Sequence, residues 1–184
     1  MSDEFLIRHC APTLAGIKTG NLFSYQYTSV EEVGESIRML NRKLGNKGIC
    51  VMPLRFMTGR VLIYVFRPDA LGRDLACDGA ARILKKYGYK SLSPFECISF
   101  LTERLCCASG DFPHEIGLFL SYPPEDVSGF IDNRARNYKF VGTWKVYGDA
   151  EKARDTFERY KKCSKVYYDQ WKRGKSIEKL SVCR

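Results

Sequence analysis

Residues Ile49–Arg67 read ICVMPLRFMTGRVLIYVFR. Two runs rich in Val, Ile, Phe and Tyr flank Thr58-Gly59, the pattern of an antiparallel hairpin whose turn uses a glycine. Pro53 cannot donate to a ladder, so the first run belongs at a sheet edge or an irregular position. A hairpin needs further partners to be stable, and the fold class depends on what the flanking sequence supplies.

Upstream, VEEVGESIRMLNRKL places Val30, Val33, Ile37, Leu40 and Leu44 on one helical face. Ser29 is its cap, Glu32 stands at the capping-box position and Gly45 is the stop. The earlier segment HCAPTLAGIKTGNLF mixes Pro12, Gly16 and Gly20 with apolar residues, which suits a surface wrap or a short helix with loops. Downstream, a helix is expected from about Pro68 to Tyr87, with Leu71, Leu75, Ala80, Ile83 and Leu84 inward and Gly88 as terminator. Ser93-Pro94-Phe95-Glu96 opens another helix, which should stop near Gly110.

EIGLFLSY (115–122) is apolar on both faces and is expected as a third, central strand. Pro123-Pro124 then starts a helix with Glu125 and Asp126 in its first turn. GTWKVY (142–147) alternates as a fourth strand, and Asp149 caps a long helix to Arg173. Together these give an α+β single domain over residues 1–184: a small, mainly antiparallel sheet of about four strands covered by helices, with a long C-terminal helix. No βαβ alternation of Rossmann type is evident.

The composition fits a folded chain, with 45% hydrophobic and 28% charged residues. MSDEFLIRHC lacks the basic and apolar regions of a signal peptide, and VLIYVF is about a third of a membrane span. A cytoplasmic location without membrane contact is expected. The eight cysteines include no CxxC pair, which argues against a structural zinc or iron–sulfur site and favours reduced, packed thiols. The net charge of +9 arises entirely in residues 134–184, with 15 Lys/Arg against 6 Asp/Glu. This basic C-terminal third suggests either a solvated helix face or docking of an acidic protein or an anionic ligand. Nucleic-acid binding is disfavoured, because Ala153, Phe157, Tyr160, Ser164, Tyr167 and Trp171 recur at core-facing helical spacing. Buried aromatics cannot stack on bases.

Only two histidines occur, His9 and His114. His114-Glu115 is not a zincin motif, since position 118 is Leu. There is likewise no P-loop, GxGxxG, GxSxG or calcium loop. His114 and Glu115 follow a loop, where sites are commonly placed. If the fold joins them to His9, Cys10 and Lys18, the set has the chemistry of a metal or acid–base site. His114 would then be acid–base or ligand, Glu115 its orienter or second base, and Cys10 a nucleophile or ligand, while His9 and Lys18 bind ligand. The plainer alternative has His114 hydrogen-bonding a neighbouring loop and Glu115 facing solvent. The sequence names no cofactor and leaves open whether the protein is an enzyme.

Several segments taken together carry a resemblance: HCAPTLAGIKTGNLF, Pro113-His114-Glu115, Leu120–Pro123 (LSYP), EDVSGFI, YKFVGTWKVYGDAEKA and FERYKKC. In this order, over nearly the full length, they resemble the bacterial domain-of-unknown-function family 3793. The resemblance groups His9, Cys10, Lys18, His114 and Glu115 under one pattern and implies a reduced bacterial cytoplasm, but no activity. Ser121 stands where that family more usually has Gly, so a positive φ is not expected to be obligatory there.

Overall fold

Helix α1 (Asp3–Leu14) begins where the Ser2 hydroxyl accepts from the Phe5 amide, in a computed structural model that describes residues 1–107 and 112–183. Strand β1 (Gly20–Gln26) follows, then α2 (Val30–Leu44), capped by Ser29 accepting from Glu32 N. Val33, Ile37, Leu40 and Leu44 of α2 are buried as the spacing requires, but Val30 in its first turn is exposed. Strands β2 (Cys50–Met57) and β3 (Arg60–Phe66) form the expected hairpin, and Gly59 turns it with φ +68°. The sheet order is β1-β3-β2, all antiparallel. Pro53 therefore lies in an edge strand, and the register shifts between Pro53 and Arg55. The central position belongs to β3, where Val61, Ile63 and Val65 alternate with Tyr64 and Phe66 and all five are buried.

The chain continues through α3 (Pro68–Ala76), α4 (Asp78–Lys86) and α5 (Pro94–Cys106). The single helix expected over 68–87 is broken at Cys77, whose extended ψ of 143° makes it the N-cap of α4. The expected end of α5 near Gly110 lies outside the described residues. A one-turn helix α6 (Ile116–Phe119) precedes α7 (Pro124–Asp132). The two short strands β4 (Phe140–Val141) and β5 (Lys145–Val146) pair with each other. The long helix α8 (Ala150–Lys172), capped by Asp149 Oδ1 accepting from Glu151 N and Lys152 N, leads to α9 (Ile177–Leu180).

This is an α+β fold with small antiparallel sheets and a long C-terminal helix. The strand expected at EIGLFLSY does not exist. Ile116, Gly117 and Leu118 donate instead to Pro113 O, His114 O and Glu115 O, at 3.0–3.2 Å, which winds the run into a helical turn. A short apolar run buried on every side has no polar face to give it a period, so helix and strand read alike. The fourth strand is really one arm of a tight hairpin.

Two compact units make up the chain, residues Met1–Asp69 with Lys162–Arg184, and Ala70–Lys161. In the first, the sheet packs on α1 and α2, and Ile177 and Leu180 complete the core with Tyr167, Tyr168 and Trp171 against it. Arg67 is buried there, donating to Thr13 O (2.7 Å), Leu14 O (2.9 Å), Lys47 O (2.9 Å) and Val182 O (2.8 Å). It thus ties the last carbonyls of α1 to the C-terminal tail. In the second unit, Trp144, Val146 and Ala153 form a cluster with Tyr122, Phe140, Phe157 and Tyr160.

Candidate functional site

The second unit contains a cavity of about 370 Å³, walled by Ile116, Tyr122, Val127, Phe130 and Trp144, with His114 and Lys145 also on its lining. Its floor depends on Gly117 of α6. A Cβ there would come within 2.9 Å of Val127 and 3.1 Å of Tyr122, so glycine lets α7 and the Tyr122 ring close in. Burial pushes the Tyr122 hydroxyl above its ordinary pKa, which keeps the ring neutral.

The far wall is the β4–β5 hairpin, and Asp126 of α7 fixes its position. Asp126 is 3% exposed, and its carboxylate accepts from Trp144 Nε1 (2.6 Å), Tyr147 N (2.7 Å) and Gly148 N (2.7 Å). Three donors satisfy a buried charge that would otherwise be costly. Trp144 is thereby held face-on to Tyr122, with centroids 4.7 Å apart, and edge-on to Phe157 at 4.4 Å. Gly142, in the hairpin turn, allows this approach, since a Cβ would fall 2.1 Å from Phe157.

Polar groups at the lining are few. His114 is exposed and edge-on to Phe130 at 5.0 Å, and among the described residues its ring makes no hydrogen bond. Lys145 Nζ donates to Ala135 O at 2.8 Å and lies over the Tyr138 and Phe130 rings, 4.9 and 5.8 Å from their centroids.

Glu115, beside His114 in sequence, has a different environment. It is fully buried rather than solvent-facing, pairs with Arg104 Nε at 2.7 Å and accepts from Tyr89 OH at 3.2 Å. Its Oε2 has no hydrogen-bond partner among the described residues. Burial first, and then the Glu115 charge, push the Tyr89 hydroxyl far above its ordinary pKa.

His9, Cys10 and Lys18 belong to the first unit. The His9 ring stacks on Phe23 (5.5 Å) and tilts against Phe5 (4.3 Å), and burial followed by the Arg8 charge lowers its pKa. Cys10 is fully buried, which pushes its thiol far above the ordinary value and opposes the thiolate that nucleophilic chemistry needs. Lys18 is also buried; desolvation brings its pKa down to about 8, and the nearby Cys10 partly offsets this. Among the described residues, no group of three or more His, Cys, Asp or Glu side chains is placed to hold a metal ion. Nor is any helix among them long and apolar enough to cross a membrane.

Sequence reading reached His114 but missed the aromatic wall. GTWKVY reads as a strand and Asp126 as a helix-dipole acid, so neither suggests a carboxylate holding a tryptophan. The available signal was that PHE, LSYP, EDVSGF and VGTWKV, four of the segments carrying the family resemblance, all contribute to this one cavity. Ser121 adds a correction. It adopts φ +61°, so the left-handed conformation is required there despite the side chain.

The architecture defines an α+β protein with an aromatic-walled cavity beside a carboxylate-anchored hairpin. The chain belongs to the DUF3793 family of proteins of unknown function, whose model matches residues 6–181. No curated protein and no solved structure matches it.

Proposed function

We propose that this protein binds a small molecule in the cavity between α6, α7 and the β4–β5 hairpin, with His114 at the lining as the ligand's polar contact. The observation that carries this reading is the cavity itself: about 370 Å³ of space among five large apolar side chains, in the size range of ligand sites. Interiors normally close such gaps. Here the walls are braced by the Asp126 carboxylate, whose oxygens are taken up by Trp144 and the hairpin amides, and from behind Trp144 by Phe157, so they can stand without filling the space. If chemistry occurs on the ligand, His114 is the candidate acid–base group. Glu115 is committed to Arg104 and Tyr89, and the raised Cys10 thiol is poorly suited to attack.

A titration with the neutral fluorophore N-phenylnaphthylamine tests this. One saturable site per chain is expected, lost when Val141→Trp, an exposed position on the lining, fills the entrance. Absence of binding to the wild type, or equal binding to the filled variant, would refute it.

A second reading concerns the basic C-terminal third. On α8, Lys152, Arg154, Arg159, Lys161, Lys162, Lys165 and Lys172 are exposed against Glu151, Asp155, Glu158 and Asp169, a net positive helix surface that suits docking of an acidic protein partner. Binding of an acidic partner that does not weaken as salt rises would count against it.

A further inference from the structure

The character of the ligand can be argued from the charges around the cavity, given the binding reading above. Two charged side chains contribute to the lining, Asp126 and Lys145. Asp126 is unavailable to a ligand, because both its oxygens are taken by Trp144, Tyr147 and Gly148 at 2.6–2.7 Å. The Lys145 ammonium has three donors, and its one hydrogen bond among the described residues is to Ala135 O. Its remaining contacts are the faces of Phe130 and Tyr138, which hold the cation without consuming its protons. His114 adds a ring that makes no hydrogen bond among the described residues.

The surrounding chain has the same sign. Residues 134–148 include Arg134, Arg136, Lys139 and Lys145 and not one Asp or Glu. A cation entering here would find no open carboxylate among the lining residues to offset this field, whereas an anion would be drawn in. The rest of the lining (Ile116, Val127, Phe130, Tyr122 and Trp144) offers ring faces and aliphatic surface suited to a flat apolar body.

We infer that the cavity takes an aromatic monoanion, with its ring system among Phe130, Tyr122 and Trp144 and its anionic group at Lys145 and His114. Selectivity then follows from one charge-assisted contact in a partly dry site, where it counts for more than in water.

Two probes sharing one ring system separate the possibilities: anilinonaphthalene sulfonate, an anion, and N-phenylnaphthylamine, which is neutral. Each is titrated into wild type, Lys145→Met and Lys145→Arg, with urea unfolding confirming that each variant is folded. Lys145→Met should weaken the sulfonate about tenfold, the effect of one charge-assisted bond. The neutral probe should change less than about twofold, and Lys145→Arg should restore the sulfonate. If Lys145→Met weakens both probes alike, or neither, the anion inference is overturned while the cavity reading survives on the neutral probe. If the wild type binds neither, both fall. Sulfonate binding that persists undiminished in Val141→Trp would place the anion elsewhere and also overturn the inference.

Discussion

Asp126→Asn tests whether one buried carboxylate holds the cavity wall. The amide oxygen of asparagine can keep the Tyr147 and Gly148 amides, which both reach Oδ1 at 2.7 Å. Its NH2 must then face Trp144 Nε1, now 2.6 Å from Oδ2, so two donors meet. Losing a hydrogen bond to a charged acceptor costs about 1.5–3 kcal/mol, and stranding a buried indole N–H adds about 1–3 kcal/mol. The two retained bonds weaken as their acceptor becomes neutral. Relief of carboxylate desolvation returns part of this. The net expectation is a loss of about 3 kcal/mol. With a urea dependence of about 2 kcal/mol/M, the midpoint should fall by about 1.5 M. The assay is urea unfolding followed by tryptophan fluorescence in a Trp171→Phe background, which leaves Trp144 as the sole reporter. Its native emission should also shift to the red as the indole is released, and N-phenylnaphthylamine binding should weaken. A stability loss under about 1 kcal/mol with unchanged Trp144 emission would refute the claim that Asp126 holds the hairpin.

Other residues give independent tests. Ser121→Gly should raise stability by about 0.5–1 kcal/mol in the same denaturation assay, because glycine adopts φ +61° without strain; a loss would show that the hydroxyl matters more than the backbone. Arg67→Met removes a donor from four carbonyls, of which Thr13 O and Leu14 O keep the Gly16 and Val182 amides, and should cost about 3 kcal/mol, with Arg67→Lys intermediate and amide exchange of Val182 accelerated in both; a loss under about 1 kcal/mol would contradict the latch. Lys18 should leave a pH signature, because its folded pKa is lowered from 10.5 to about 8. Between those values the unfolded chain binds the extra proton, so its contribution to stability increases as pH rises and is unfavourable below about 8. The stability gap between wild type and Lys18→Met should therefore move in the wild type's favour by up to about 3 kcal/mol as pH rises from about 8 toward 10.5. A gap that does not change with pH would refute the assignment.

The parts of the fold that could be read in the chain are those specified locally. The Thr58-Gly59 hairpin, the Ser29 cap, the Pro94 start of α5 and the Asp149 cap each depend on residues adjacent in sequence. The parts misread are those where distant partners decide. β1 has no clean alternation, yet it pairs with β3 along its whole length. Glu115 reads as a surface acid until Arg104 and Tyr89 are brought to it. The left-handed Ser121 is held in place by the turn between α6 and α7, against its own preference.

Composition, charge placement and the run of short motifs determined by themselves that this is an α+β protein of the DUF3793 family with a basic final third. They also singled out His114. Only the tertiary structure decided that EIGLFLSY winds into a helical turn and that Asp126 grips Trp144. The same holds for unit membership, with Cys10 and Lys18 in the first compact unit and His114 in the second. The physical reason is range. Caps and turns are settled by hydrogen bonds between near neighbours, whereas a cavity wall is settled by which buried carboxylate, ring and glycine meet across the fold, and periodicity does not record those meetings.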